Sequence, residues 1–160
     1  MGKTQITEQQ LIELLAKADF HKRYYDFIDK AKRTAGKEKC TYQSFCEVIS
    51  EDTRCKHHKS ERFFQLRETD GQWEFTLKLA YCYGKLELIM SGTHNGKNIG
   101  GVVTRLALES ARVLDPEFMP KPLAPKIPFS TQAELREAVA FSVSLYEVMK
   151  SAILTFTSGS

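Results

Sequence analysis

The stretch from Trp73 to Tyr81 alternates strictly. Trp73, Phe75, Leu77, Leu79 and Tyr81 are large and apolar, and Glu74, Thr76, Lys78 and Ala80 stand between them. A period of two puts all five apolar side chains on one side of an extended backbone, which a helix does not do. The segment is therefore read as a half-buried strand. Asp70-Gly71 precedes it, a pair suited to the positive φ angles of a tight hairpin turn, so Arg62–Glu68 is its expected partner strand. Tyr83-Gly84-Lys85 turns the chain again, and Leu86, Leu88 and Met90 resume the alternation. An antiparallel meander of three to four strands is expected over residues 62–91. A sheet with one apolar face needs cover from helices, which makes the expected fold class α+β.

Helical patterning flanks the meander on both sides. Thr7 and Gln10 form a capping box, with Ile6 and Leu11 as its hydrophobic staple. Leu11, Leu14, Leu15 and Ala18 follow at helical spacing, and Phe20, Tyr24, Phe27, Ile28 and Ala31 continue it. One long helix or two joined near Asp19 fits that pattern, with Gly36 as its stop. Thr41 caps a short helix with Tyr42, Phe45, Cys46 and Ile49 inward. After the meander, residues 102–155 are expected to hold two helices joined by a proline-rich connector. The first ends before Pro116, and the second opens on the capping box Thr131/Glu134. Pro122, Pro125 and Pro128 recur every three residues, the polyproline II period, and read as a stiff connector. The last helix carries two apolar stripes. Leu135, Val139, Ser142, Val143, Tyr146, Met149 and Ile153 form one, and Phe141, Leu145, Val148 and Ala152 the other. Both must be covered, by the core or by a second chain.

The 160 residues are expected to form a single domain, in which 1–61 are helical and basic. The most apolar window, Ala138 to Phe156, carries Glu147 and Lys150. A charge at bilayer mid-depth costs about 3 kcal/mol, so the window reads as a buried helix and no membrane association is expected. The N-terminus lacks the apolar run of an export signal, and Cys40, Cys46, Cys55 and Cys82 show no Cys-x-x-Cys pattern. Reduced thiols and a cytoplasmic location are the expectation.

The net charge of +3 is unevenly placed: residues 1–62 carry 13 basic and 10 acidic groups, and the remainder 10 of each. Lys30, Lys32, Arg33, Lys37 and Lys39 form one basic cluster, and Arg54, Lys56, His57, His58, Lys59 and Arg62 another. Weak phosphate contacts from this third of the chain are one reading. A pI of 8.6 falls below the usual mark of a nucleic-acid domain, so nucleic acid is not the expected partner.

Gly92 to Gly101 reads as a glycine-rich loop leading from a strand into a helix. His94, Gly96, Lys97, Gly100 and Gly101 are its candidate phosphate-binding residues. It departs from a P-loop: three residues separate Gly92 from Gly96-Lys97, and Asn98 stands where a hydroxyl residue would hold magnesium. A small nucleotide- or phosphate-binding enzyme built on this loop is the alternative reading. Cys40, Cys46, Cys55 and either His57 or His58 are the residues from which a zinc site would be drawn. Gaps of five and eight residues do not match the close ligand pairs of structural zinc, so no metal and no cofactor is expected. Cys55 or Cys82 with His94 lacks any local nucleophile signature, and no catalytic set is expected.

Trp73-Glu74-Phe75, Lys85-Leu86-Glu87-Leu88-Ile89, Arg105-Leu106-Ala107, Pro128-Phe129, Glu134-Leu135 and Leu145-Tyr146 carry a layout that resembles small bacterial toxin-immunity proteins. The resemblance covers about half the chain. It implies a non-enzymatic cytosolic inhibitor that binds one cognate protein toxin; either a monomer or a homodimer fits the sequence. The slightly basic charge points to an acidic or neutral toxin, or else to a local acidic patch on this chain as the contact. The residues expected to make the contact are Glu74, Thr76, Lys78 and Glu87, on the polar face of the sheet.

Overall fold

The computed structural model describes residues 5–36 and 39–158. Lys37 of the first basic cluster and the residues before Gln5 lie outside the described residues. Two helices, α1 (Glu8–Lys17) and α2 (Phe20–Thr34), meet at Asp19. Asp19 has φ 57°, and this left-handed residue turns one amphipathic stretch into two helices. Thr7 and Gln10 cap α1 reciprocally, the Thr7 side chain accepting from the Gln10 N–H and Gln10 accepting from Thr7. Thr41 caps α3 (Tyr42–Ile49) by accepting from the Ser44 N–H.

The sheet is larger than the expected meander of three or four strands over 62–91. β1 (Cys55–His58), β2 (Phe63–Asp70), β3 (Trp73–Tyr81), β4 (Lys85–His94) and β5 (Lys97–Val102) run antiparallel in that spatial order. A two-residue strand β6 (Ile127–Pro128) also pairs with β4, at Lys85 and Leu86. Two strands are corrections. β1 lies within the segment 1–61 expected to be helical; Cys-Lys-His-His has little strand character of its own and is held by pairing with Phe63–Leu66. β5 occupies the expected Gly92–Gly101 loop. Only Asn95-Gly96 forms the turn there, with φ 52° and 78°, the two positive values that a tight two-residue hairpin needs.

After β5 the chain enters α4 (Val103–Leu114) and later α5 (Gln132–Ser158). Between them, the segment that begins as the proline-rich stretch returns to the sheet. The Tyr24 hydroxyl donates to the Pro125 carbonyl, β6 follows, and the Phe129 N–H bonds the Gly84 carbonyl at 3.2 Å. Glu134 accepts from the Thr131 N–H at 3.2 Å while the Glu134 N–H bonds Thr131 Oγ1 at 3.1 Å, closing the second capping box.

The alternation of β3 is realised side chain by side chain. Trp73, Phe75, Leu77 and Leu79 are buried and Tyr81 is half-buried, against Leu86, Leu88 and Met90 of β4, Leu106 and Ala107 of α4, and the inner stripe of α5. α5 is long and apolar enough, by length and composition, to cross a membrane. Here Leu135, Ser142, Leu145, Tyr146, Met149 and Ile153 are buried against the sheet and the other helices. Its outer stripe is only half covered: Val148 and Ala152 line an open groove with Leu14 and Ala18.

Candidate functional site

Every helix that touches the sheet does so from the side of Phe75, Leu77 and Leu88. The alternate positions form the opposite face, and among the described residues no helix covers it. The register places Gln65, Arg67 and Thr69 of β2 opposite Lys78, Thr76 and Glu74 of β3. Those in turn face Ile89, Ser91 and Thr93 of β4, and Ala80 faces Glu87. Lys56 and His58 of β1 extend the same face beyond Gln65 and Phe63. All four residues expected to make the partner contact, Glu74, Thr76, Lys78 and Glu87, therefore share this surface, each of them half-buried.

The surface is ordered by its own bonds. Thr76 Oγ1 and Ser91 Oγ lie 2.7 Å apart, and Arg67 Nε is 3.6 Å from Glu74 Oε1. Phe63 is a large apolar residue on the wrong face for the core, yet it is only 9% exposed. The His58 ring stacks on it at 4.5 Å, and Lys78 Nζ sits 4.8 Å from its centroid. An aromatic ring covered by cationic or polar heads gives the face an apolar anchor without leaving an exposed greasy patch. Beside it lies a shallow depression of about 430 Å³ lined by Arg54, Lys56, His58, Gln65, Arg67 and Thr69. Arg54 is tied to Asp52 at 2.9 Å, and this bond holds the Asp52 carboxyl below the usual range. Lys56 has no ion pair among the described residues. Glu74 and Glu87 each have a cation beside them, Arg67 and Lys126, so the face carries a surplus of positive charge.

Lys56, His58, Phe63 and Arg67 were not foreseen as members of this site. Their signal lay in the expected strand Arg62–Glu68, whose alternate residues Phe63, Gln65 and Arg67 had to face away from Phe64 and Leu66. For Lys56 and His58 it was available only after β1 had been paired.

The candidate phosphate residues do not form a loop of free N–H groups. His94 pairs with Lys97, Gly100 with Ser91 and Gly101 with Met90, so Gly100 and Gly101 are strand residues and Gly96 is a turn residue. His94 and Lys97 instead edge a pocket of about 330 Å³ over Trp73 and Ile99, where the His94 ring lies 5.0 Å from the Trp73 ring. Gly100 has φ 105°, and a Cβ there would stand 2.4 Å from the Met90 carbonyl oxygen. Close approach of strands, not phosphate chemistry, explains this glycine.

Of the residues considered for zinc, Cys46 Sγ lies 3.8 Å from His57 Nε2, and the Tyr42 hydroxyl shares that nitrogen at 2.8 Å. His57 stacks on Phe64 at 4.2 Å in the core side of the sheet. No group of three or more His, Cys, Asp or Glu side chains placed to share a metal occurs among the described residues. Cys82 and His94 sit at opposite ends of the β3–β4 hairpin, so they cannot act on one another. The two basic clusters also part company: Lys30, Lys32 and Arg33 are exposed on α2 in the helical layer, whereas Lys56 and His58 lie on the sheet. No protein-family model, curated protein or solved structure matches this chain.

Proposed function

We propose that this protein is a non-enzymatic cytosolic binding module that docks an acidic protein surface on the uncovered face of its sheet. Toxin immunity, the neutralisation of one cognate toxin domain, is the sharpest form of that reading. The observation that carries it is the uncovered face itself, where His58 and Lys78 cover an aromatic residue, Phe63, and Lys56 and Arg67 extend the cationic surface along β1 and β2. Interfaces draw their affinity from aromatic anchors inside a polar, charged rim, and the face supplies Phe63 with Lys56 and Arg67 beyond it. Charge complementarity selects the partner: the surplus of cations on this face favours a carboxylate-rich surface.

The test uses the purified protein and the purified product of the reading frame adjacent to its gene. Calorimetry with the wild type and with Lys56→Glu/Arg67→Glu decides. Micromolar or tighter binding that the double reversal weakens at least about tenfold supports the reading. Absence of binding at micromolar concentration, or binding indifferent to both reversals, overturns it. So does a salt-sensitive affinity for mixed oligonucleotides that exceeds the affinity for the protein.

A further inference from the structure

Cys82 stands where β3 leaves the sheet. Its N–H bonds the Lys85 carbonyl at 2.8 Å and its own carbonyl accepts from the Lys85 N–H at 3.1 Å, so the sulfur is carried on a closed turn. Lys126, the residue before β6, brings its Nζ to 3.5 Å from Cys82 Sγ and 3.4 Å from Glu87 Oε2. β6 is itself paired to β4 at Leu86, which fixes the distance between the two side chains from both ends. The Lys126 side chain is 35% exposed, and Cys82 is half-buried, so small solutes reach the pair.

The other three cysteines lack this arrangement. Cys40 is buried, and burial pushes its thiol above the ordinary value. Burial pushes the Cys55 thiol up to about 11. Cys46 faces the His57 ring. Among the described residues, only at Cys82 does an ammonium group donate to the sulfur. An ammonium held against the sulfur is placed to hand a proton to the oxygen that leaves when the sulfur attacks a peroxide. The contact is reciprocal: the bond to Cys82 first, and Glu87 after it, hold the Lys126 ammonium above the ordinary lysine range.

We infer that Cys82 and Lys126 form an oxidation site at which a hydroperoxide joins sulfur to nitrogen. The Cys82 thiolate attacks one peroxide oxygen; an S–O bond forms and the O–O bond breaks. The departing oxygen takes a proton from the Lys126 ammonium and leaves as water or an alcohol. This gives a sulfenic acid beside a neutral amine. A sulfenic acid condenses with nitrogen nucleophiles held against it. Lys126 Nζ attacks the sulfur, the S–N bond forms, and the hydroxyl leaves as water with a proton from that nitrogen. Sulfur loses two electrons and the peroxide gains them. The linked pair is two hydrogens lighter than the reduced one. Glu87 then stands without its cation.

The experiment treats the intact protein with one equivalent of hydrogen peroxide, alkylates the remaining thiols and maps the tryptic peptides by mass spectrometry. The expected result is loss of Cys82 alkylation before that of Cys46 or Cys55. It is accompanied by a linked peptide pair two hydrogens light, uncleaved after Lys126 and released by dithiothreitol. Lys126→Arg keeps the cation but not the amine, and stops at a dimedone-reactive sulfenic acid. Lys126→Met removes both the proton donor and the amine, so it slows oxidation of Cys82 by at least about tenfold and forms no link. Unchanged thermal unfolding of both variants confirms that the fold is intact. Oxidation of Cys82 no faster than of Cys46 or Cys55 overturns the inference, as does a sulfenic or sulfinic acid without the link in the wild-type protein.

Discussion

Lys150, near the middle of α5, places its Nζ 2.9 Å from Glu68 Oε1 on β2 and 3.1 Å from Glu147. The ammonium also lies 5.0 Å from the centroid of the Tyr146 ring. Glu68 lies on the core side of the sheet, opposite Phe75, and is half-buried, whereas Asp70 on the same side is exposed at the strand end. The pair ties the longest helix to the sheet. Loss of the cation strands a half-buried carboxylate, and Lys150→Met is expected to cost about 1–3 kcal/mol. Urea unfolding of Lys150→Met, Glu68→Gln and the double variant checks this. The double variant is expected to lose less than the sum of the two, because each single change removes the same bond.

The same pair sets a pH dependence. The Lys150 hydrogen bond holds the Glu68 carboxyl below the usual carboxylate range, more strongly than burial raises it. A carboxyl whose folded value is depressed contributes stability that is full above its unfolded value, roughly pH 4.3. That contribution is lost as pH falls through the lower, folded value. Stability measured from pH 6 to pH 3 is expected to fall less steeply in Glu68→Gln than in the wild type. Parallel curves would assign the acid sensitivity elsewhere, for example to Glu134, which the Ser130 and Thr131 N–H groups hold down in the same direction.

The β4–β5 hairpin is open to a direct test through its glycines. Gly100→Ala places a methyl 2.4 Å from the Met90 carbonyl oxygen at φ 105°. Gly96→Ala adds a methyl in open space at φ 78°. The second change costs only the left-handed conformation, about 1–2 kcal/mol. The first adds a backbone clash and is expected to cost more, about 3 kcal/mol or above. Thermal unfolding ranks the two. A reversed order would mean that Gly100 is not paired at Ser91.

What was legible in the sequence followed the strength of the local pattern. β3 was readable to the residue because five apolar side chains recur at period two, and the two capping boxes opened α1 and α5 where their hydroxyls stand. The sheet's edges were not. Cys55–His58 and Lys97–Val102 hold few residues with strand preference, and the glycines of β5 read as a loop because their strand role lies in how closely Met90 and Ser91 approach. Edge strands of this kind are specified by their neighbours, a tertiary property. The site followed suit. Glu74, Thr76, Lys78 and Glu87 lay on strongly patterned strands and share one face, whereas Lys56 and His58 joined them only through a pairing that local sequence does not encode.

Phe75 tests the central alternation. It is fully buried, and its ring leaves 3.0 Å between its Cε1 and a Cβ built at Gly92. Phe75→Ala is expected to cost about 3–5 kcal/mol, since the cavity would lie under both β4 and α5. Its neighbour Thr76→Ala, on the uncovered face, removes one hydroxyl bond to Ser91 and is expected to cost about 1 kcal/mol or less. Chemical denaturation of the two variants compares the two faces of one strand.

The uncovered face is expected to act on encounter as well as on affinity. Lys56 and Arg67 are exposed, and exposed charges steer association over a Debye length of about 8 Å at physiological salt. Lys56→Glu/Arg67→Glu is therefore expected to lower the association rate with an acidic partner about tenfold or more and to flatten its dependence on salt. The dissociation rate is expected to move less, because the anchor Phe63 and its cover by His58 and Lys78 are untouched. Stopped-flow association at several salt concentrations separates the two effects. A reversal that accelerated dissociation and left association alone would place Lys56 and Arg67 at the centre of the contact rather than at its rim.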